Sequence, residues 1–144
     1  MSAVYLAGPI DGCTHDEMWE WRIYAKKLLH PLQCFNPCKR MFNIPAAGRT
    51  EAAKQIVTLD KAEIAASDAL LVWYNQPAAG SKMTGSTMEI IYAFERGKLV
   101  VVVSSEKTIS PWIDYHSHVI FSDIEPAAKY IKNFLTPDIY YPPA

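Results

Sequence analysis

The chain has 144 residues, of which 50% are hydrophobic and 20% are charged. This length is typical of one domain built around one hydrophobic core, and the apolar content is too high for a disordered protein. With 14 basic and 15 acidic side chains the formal net charge is -1, so the chain lacks the basic surface that duplex nucleic acid requires. The low charge content also suggests that a partner subunit covers part of the surface.

The sequence gives no signal for a membrane span or for secretion. The longest clear apolar run, 99–103, is far shorter than the ~18 residues that a membrane helix needs, and no basic region precedes the first apolar residues. Cys13, Cys34 and Cys38 do not form a disulfide framework, and their spacing lacks the partners of a zinc site. We therefore expect a cytoplasmic protein with incidental thiols, no bound metal and no membrane partner.

Short β-rich runs alternate with longer helical patterns, which is typical of an α/β fold with a mainly parallel sheet. The first strand ends at Gly8-Pro9, after which Thr14 and Glu17 form a capping box that starts a helix. Four consecutive valines favour a central position for the fourth strand. Predicted strands cover 3–7, 33–36, 68–74, 99–104 and 119–121, and predicted helices with their caps cover 14–30, 50–66, 87–96 and 125–134.

Finer features are also predicted for the later helices. Thr50 caps the second helix, whose apolar side carries Ala53, Ile56, Val57 and Ile64. Gly97 closes the third helix in a left-handed conformation. We expect residues 1–135 to form the single domain and 136–144 to form an extended tail, in which Tyr140 and Tyr141 either cover a site or dock on the surface.

Ligands bind parallel sheets outside the carboxyl ends of the strands, which directs attention to segments 5–12, 74–89 and 104–118. The first segment has Tyr5 at the strand end and Gly8 where a backbone could approach a ligand closely. It contains neither a GxGxxG fingerprint nor a GxxxxGKS/T phosphate loop. A nicotinamide or ATP site is therefore disfavoured.

The second segment carries one carboxylate, Glu89, after the small and hydroxyl-rich run 84–87. Ser86 and Glu89 have the spacing of a capping box, in which Glu89 only binds a backbone N–H. Alternatively, a carboxylate in the first turn of a helix is kept ionised by the helix dipole and can attack an anomeric carbon. Asp60 on the preceding helix is either an exposed acid paired with a base such as Lys61 or a second functional carboxylate, and Glu63 competes for that role.

Three motifs together resemble the nucleoside 2-deoxyribosyltransferase family. They are Tyr5-Leu6-Ala7-Gly8-Pro9-Ile10, then Leu59-Asp60-Lys61-Ala62-Glu63-Ile64-Ala65-Ala66-Ser67-Asp68, and finally Thr84-Gly85-Ser86-Thr87-Met88-Glu89 followed by Ala93 and Gly97-Lys98. The resemblance extends over residues 3–104. It implies a Rossmann-like, flavodoxin-related three-layer sandwich with a mainly parallel five-stranded sheet.

The resemblance also implies cleavage of the N-glycosidic bond of 2′-deoxyribonucleosides or their 5′-monophosphates. Glu89 would attack the anomeric carbon, Asp60 would bind the sugar hydroxyls or assist proton transfer, and Tyr5 would orient the catalytic carboxylate. The motif residues Gly8, Pro9, Ile10, Gly85, Ser86 and Thr87 would contact the substrate. No cofactor is implied, the partners are a deoxynucleoside or deoxynucleotide and a free nucleobase, and family members form homo-oligomers.

One position departs from the family pattern. The transferases commonly carry an Asp six residues before the nucleophile that contacts the base, whereas this chain has Met83. This favours the related hydrolases of deoxynucleoside 5′-monophosphates, but Asp11 in the first loop would repel a phosphate. We therefore predict the transferase first, the hydrolase second, and a non-catalytic nucleotide-binding module third.

The third segment supplies further candidates for substrate contact. The substrate that they contact could be the one bound by a neighbouring subunit. Ser110, Trp112 and His116 could offer hydroxyl, stacking and imidazole contacts. Aromatic residues before a short strand also commonly pack against a core or an interface. Both interpretations stay open on sequence grounds.

Overall fold

The computed structural model describes residues 2–40 and 49–136. Its five strands form one sheet in which all neighbours are parallel, in the order β2-β1-β3-β4-β5. This is the flavodoxin-like order, with its switch point between β1 and β3, and it confirms the predicted fold class. The strands are β1 (Ala3–Ala7), β2 (Gln33–Phe35), β3 (Ala69–Trp73), β4 (Leu99–Val103) and β5 (Val119–Phe121).

Helices cover both faces of the sheet and complete a three-layer sandwich. One hydrophobic cluster joins α1 and α5 to one face, and a second cluster joins α2, α3 and α4 to the other. Among the described residues, no helix is long and apolar enough to cross a membrane. The helices are α1 (His15–Leu29), α2 (Arg49–Ala65), α3 (Thr84–Glu95), α4 (Pro111–Tyr115) and α5 (Ile124–Leu135), with a 3₁₀ turn at Pro37–Arg40.

Helix α1 begins as the sequence predicts. The Thr14 side chain accepts a hydrogen bond from the Glu17 backbone N–H, and the Glu17 carboxylate accepts one from the Thr14 backbone N–H. This capping box satisfies two N–H groups that the first helical turn would otherwise leave without partners. The helix ends next to Pro31 and packs Trp21, Ala25 and Leu29 into the core.

Helix α3 begins three residues earlier than predicted, at Thr84 rather than Thr87. Its N-cap is Met83, which has a left-handed backbone (φ 53°) and makes no capping hydrogen bond through its side chain. Ser86 is therefore the third helical residue, so the predicted Ser86–Glu89 capping box is wrong. Glu89 lies in the second turn, so the predicted stabilisation by the first-turn dipole is also wrong. The C-terminus is as predicted, because Gly97 has φ +72°.

The sequence misplaces part of α2 and misses α4. Helix α2 already includes Arg49, so an N-cap at Thr50 is wrong. Ile64 is buried as expected, but Ile56 and Val57 are about half exposed and Ala53 is exposed, because α2 packs mainly against α3. The short α4 lies in a segment predicted without a helix. Of the predicted tail 136–144, residues 137–144 lie outside the described residues.

Candidate active site

The central feature of the site is a hydrogen bond between two of the predicted residues. The Tyr5 hydroxyl donates to Glu89 Oε2 at 2.5 Å, across 84 residues of sequence. A phenol that donates to a carboxylate stabilises its ionised form and fixes its orientation. The fold thus holds one carboxylate in a defined position, which is the first requirement of a carboxylate nucleophile.

The elements that carry this pair are rigid. Tyr5 is fully buried on β1, which pairs with β2 on one side and β3 on the other. Glu89 precedes Ile90, which is fully buried against the same face of the sheet. Glu89 itself is half-buried. The pair therefore stands at the boundary between the core and solvent, where a small molecule can reach a carboxylate that the core positions.

Gly8 and Pro9, which follow β1, are buried, and Ile10 is half-buried. A Cβ on Gly8 would lie 2.6 Å from Cζ2 of Trp21, so the missing side chain makes room for an indole. The Ile10 carbonyl accepts a hydrogen bond from the Cys13 backbone N–H at 3.1 Å. This loop is thus shaped by its packing on α1, which the motif alone did not indicate.

The start of α3 leaves polar groups and space available. Gly85 is exposed, and a Cβ at this position would meet no atom of the described residues within 4 Å. Ser86 is 3% exposed, and its buried Oγ has no hydrogen-bond partner in the same part of the chain. Thr87, by contrast, is engaged, because its backbone N–H and its hydroxyl both donate to the Met83 carbonyl. Of these three predicted contact residues, Gly85 has open space beside it and Ser86 has a hydroxyl that could still form a hydrogen bond.

Asp60 lies on α2, which packs against α3. The side chain is half-buried and one turn before the buried Ile64, a spacing that places both on one face of the helix. Glu63 is also half-buried. Burial therefore does not separate the two acids, and the choice of Asp60 stays a prediction.

The residues predicted from the third segment have structural partners. Ser110 caps α4, because its Oγ accepts a hydrogen bond from the Trp112 backbone N–H at 3.2 Å. His116 is buried, and its Nδ1 lies 2.7 Å from the Trp112 carbonyl oxygen. Trp112 remains 65% exposed. These contacts explain Ser110 by capping and His116 by packing, while Ser110 and Trp112 both keep surface that is open to a ligand.

A cavity of about 270 Å³ opens beside the loop after β1, between the start of α1 and the loop after β3. Glu17 spans its two walls, since its carboxylate also accepts a hydrogen bond from the Ala78 backbone N–H at 2.8 Å. Backbone N–H groups of Thr14 and Ala78 lower the pKa of Glu17. The other lining residues are Pro9, Cys13, Asp16, Glu20, Trp21, Trp73, Asn75, Gln76 and Pro77.

Sequence reasoning did not find Arg22. Its guanidinium is 1% exposed and donates three hydrogen bonds to backbone carbonyls, two of them at the end of β1. The sequence pattern does indicate its burial, because Arg22, Ala25 and Leu29 have the spacing of residues on one buried face of a helix. A basic residue on such a face indicates a buried polar role.

Comparison with known proteins agrees with these motifs. The profile of the family described as nucleoside 2-deoxyribosyltransferase like matches residues 1–107. This chain belongs to that family. The matched region contains all three motifs and both residues of the Tyr5–Glu89 pair. No curated protein sequence matches the chain.

Several solved structures share the fold of this deoxyribosyltransferase-like chain. A 2-deoxyribosyltransferase from Bacillus psychrosaccharolyticus is 20% identical, with a TM-score of 0.73 over 94% of this chain and 95% of that one. A 2-desoxiribosyltransferase from Leishmania mexicana is 14% identical, with a TM-score of 0.61 over 92% and 98%. A CMP N-glycosidase from Clostridium botulinum is 16% identical, with a TM-score of 0.54 over 90% and 98%. At these identities the likeness establishes the fold.

Proposed function

We propose that this protein cleaves the N-glycosidic bond of 2′-deoxyribonucleosides with Glu89 as nucleophile and transfers the deoxyribosyl group to another nucleobase. The observation that carries the proposal is the hydrogen bond from Tyr5 to Glu89 Oε2, in a chain of the deoxyribosyltransferase-like family. Deoxyribosyl transfer or N-glycosidic cleavage is the activity that the family and the shared fold support.

The proposed reaction has two displacements at the anomeric carbon. A Glu89 oxygen forms a bond to C1′ while the C1′–N bond breaks, and the leaving base takes the electron pair and a proton from water. In the second step an N–H nitrogen of an acceptor base forms the new bond to C1′ and gives its proton back to the solvent, and Glu89 leaves as a carboxylate. Such double displacement retains configuration at C1′. In this scheme Tyr5 holds Glu89 and Asp60 binds the sugar hydroxyls.

The test is incubation with a deoxynucleoside and a second free base, followed by chromatography of the products. A new nucleoside is expected. Glu89→Gln should lower the rate by about 10³-fold or more, because it removes the nucleophile. Glu95→Gln is the matched control, since Glu95 is exposed on the same helix, and it should retain full activity. Unchanged turnover in Glu89→Gln would contradict the mechanism.

Hydrolysis of 2′-deoxynucleoside 5′-monophosphates is the second candidate. The observation in its favour is Met83, which is 4% exposed at the position where the family's transferases commonly carry a base-contacting Asp. A thioether cannot protonate a leaving base. When a deoxynucleoside 5′-monophosphate replaces the deoxynucleoside in the same assay, this candidate predicts free base without exchange. Binding of the nucleotide with no turnover would instead indicate the third candidate, a binding module.

We also propose that a second copy of the chain covers the outer surface of α2, α3 and α4. A contiguous exposed apolar patch marks an interaction surface, and α3 contacts both α2 and α4. The residues concerned are Ile56, Val57, Leu59, Met88, Trp112 and Tyr115, each at least 41% exposed. Light scattering should give the mass of a dimer or higher oligomer, and Val57→Glu should lower it. A monomeric mass for the unmodified chain would contradict this proposal.

A further inference from the structure

Arg22 is a buried cation whose hydrogen bonds are all to neutral groups. Its Nε donates to the Leu6 carbonyl at 3.3 Å, Nη1 to the Met18 carbonyl at 2.8 Å and Nη2 to the Gly8 carbonyl at 3.1 Å. Within residues 2–40 and 49–136, no carboxylate forms an ion pair with it. A buried charge that no carboxylate contacts directly is costly, so the position of Arg22 calls for an explanation beyond packing.

Two of the three acceptors lie at the end of the strand that carries Tyr5. Leu6 follows Tyr5 directly, and Gly8 is the first residue after β1. Successive side chains of a strand point to opposite faces, so Tyr5 faces α3 while Leu6 faces α1. Arg22 therefore binds the backbone of β1 on the face of the sheet opposite to Glu89. Its contacts begin one residue after Tyr5, whose hydroxyl binds Glu89.

The charges around Arg22 come from four different elements. Burial lowers the pKa of the Arg22 guanidinium, and nearby groups oppose that effect in the order Cys38, Tyr5, Glu89 and Cys13. The guanidinium stays protonated in proteins even so. Across the sheet, α2 brings Asp60, Lys61 and Glu63 towards α3. Arg22 is thus a permanent positive charge near the Tyr5–Glu89 pair.

We propose that Arg22 is the positioning residue of the active site: its charge keeps Glu89 ionised, and its three N–H bonds fix the end of β1 and with it Tyr5. A positive charge favours the ionised form of a nearby carboxylate, and a fully buried one acts through little solvent screening. This role rests on Glu89 as the reacting carboxylate of the proposed function.

The direct test measures the ionisation of Glu89 without any substrate. Side-chain carboxyl carbons are labelled with ¹³C at Glu, the Glu89 signal is assigned by its loss in Glu89→Gln, and its titration is followed by NMR. Three proteins are compared: the unmodified chain, Arg22→Lys and Arg22→Met. Arg22→Lys keeps the charge but loses the planar fork of donors, whereas Arg22→Met keeps much of the volume and loses the charge.

The expected result is a Glu89 titration midpoint that rises by about one pH unit in Arg22→Met and by clearly less in Arg22→Lys, which keeps the charge but loses the bonds that fix Tyr5. An unchanged midpoint in Arg22→Met overturns the role of the charge. An equal rise in both variants also overturns it, because the donor geometry would then be responsible. If Arg22→Met does not fold, Arg22→Gln takes its place, since it is neutral but still offers N–H donors to the carbonyls.

Activity provides the second measurement and separates this inference from the proposed function. If the unmodified chain turns over deoxynucleosides, the acid limb of its kcat against pH should move upward in Arg22→Met by the same amount as the NMR midpoint. A purely structural role would lower kcat without moving that limb. If the unmodified chain turns over no deoxynucleoside, the proposed function fails, while the NMR titration still decides whether Arg22 controls Glu89.

Discussion

Two strand-to-helix connections at the carboxyl edge of the sheet are built in opposite ways. The connection from β1 to α1 is held by side-chain hydrogen bonds at both ends: Thr14 and Glu17 cap the helix, and Arg22 donates to the Leu6 carbonyl in β1 and to the Gly8 carbonyl in the loop. The connection from β3 to α3 ends at a left-handed Met83 and provides no side-chain cap for the helix. Among the described residues, the buried Ser86 Oγ in the first turn of α3 has no hydrogen-bond partner.

The difference separates the part of the edge that supports the site from the part that is available to a ligand. A non-glycine residue in the left-handed region and an unsatisfied buried hydroxyl each lower stability. Such features persist where function requires them, and Glu89 lies one turn further along α3. We infer that the β1 connection holds the site rigid and that the β3 connection meets the substrate.

A pair of glycine substitutions should show the contrast most strongly. Gly8→Ala should destabilise the protein by about 1–3 kcal/mol, because the new Cβ would lie 2.6 Å from the Trp21 ring. Gly85→Ala should stabilise it by about 0.5–1 kcal/mol, because it meets only open space in a helix. Urea unfolding of the two variants measures both values. Equal changes in the free energy of unfolding for the two variants would contradict the distinction between the two connections.

A serine pair gives a smaller effect at the same contrast. Ser86→Ala should raise the free energy of unfolding by about 1 kcal/mol, because it deletes a buried hydroxyl that has no partner. It should also weaken substrate binding, seen as a higher KM. Ser67→Ala is the control, since Ser67 is equally buried but donates to the Glu63 carbonyl at 2.7 Å. A loss of stability in Ser86→Ala would show that the Ser86 hydroxyl does form a hydrogen bond in the folded protein.

The same contrast explains which features could be predicted from the sequence. The β1 connection follows local rules, so its capping box and the strand before it were predicted correctly. At the β3 connection the same rule selected Ser86 as a cap, and it failed because Met83 adopts a conformation that local preference disfavours. Helix α3 therefore starts earlier, and Glu89 is positioned by Tyr5 rather than by the helix end.

Long-range contacts account for the remainder. The Tyr5–Glu89 pairing depends on the parallel order of β1 and β3, and only the resemblance suggested it. The burial of Arg22 depends on where α1 meets β1, which residue spacing indicates only weakly. The apolar side of α2 was predicted but its exposure was not, because sequence periodicity identifies an apolar side but not what covers it.

The smallest expected effect concerns Glu17, the residue that ties the two connections together. Its carboxylate accepts from the backbone N–H groups of Thr14 and Ala78, which lower its pKa in the folded state. A lowered folded-state pKa stabilises the fold above the unfolded-state pKa, and that contribution is lost as the pH falls through the folded value. Glu17→Gln should therefore cause a small loss of Tm at pH 7 that fades in acid. Glu20→Gln on the same helix is the control. A loss of Tm in Glu17→Gln that does not depend on pH would show that the Glu17 charge does not hold the loop after β3.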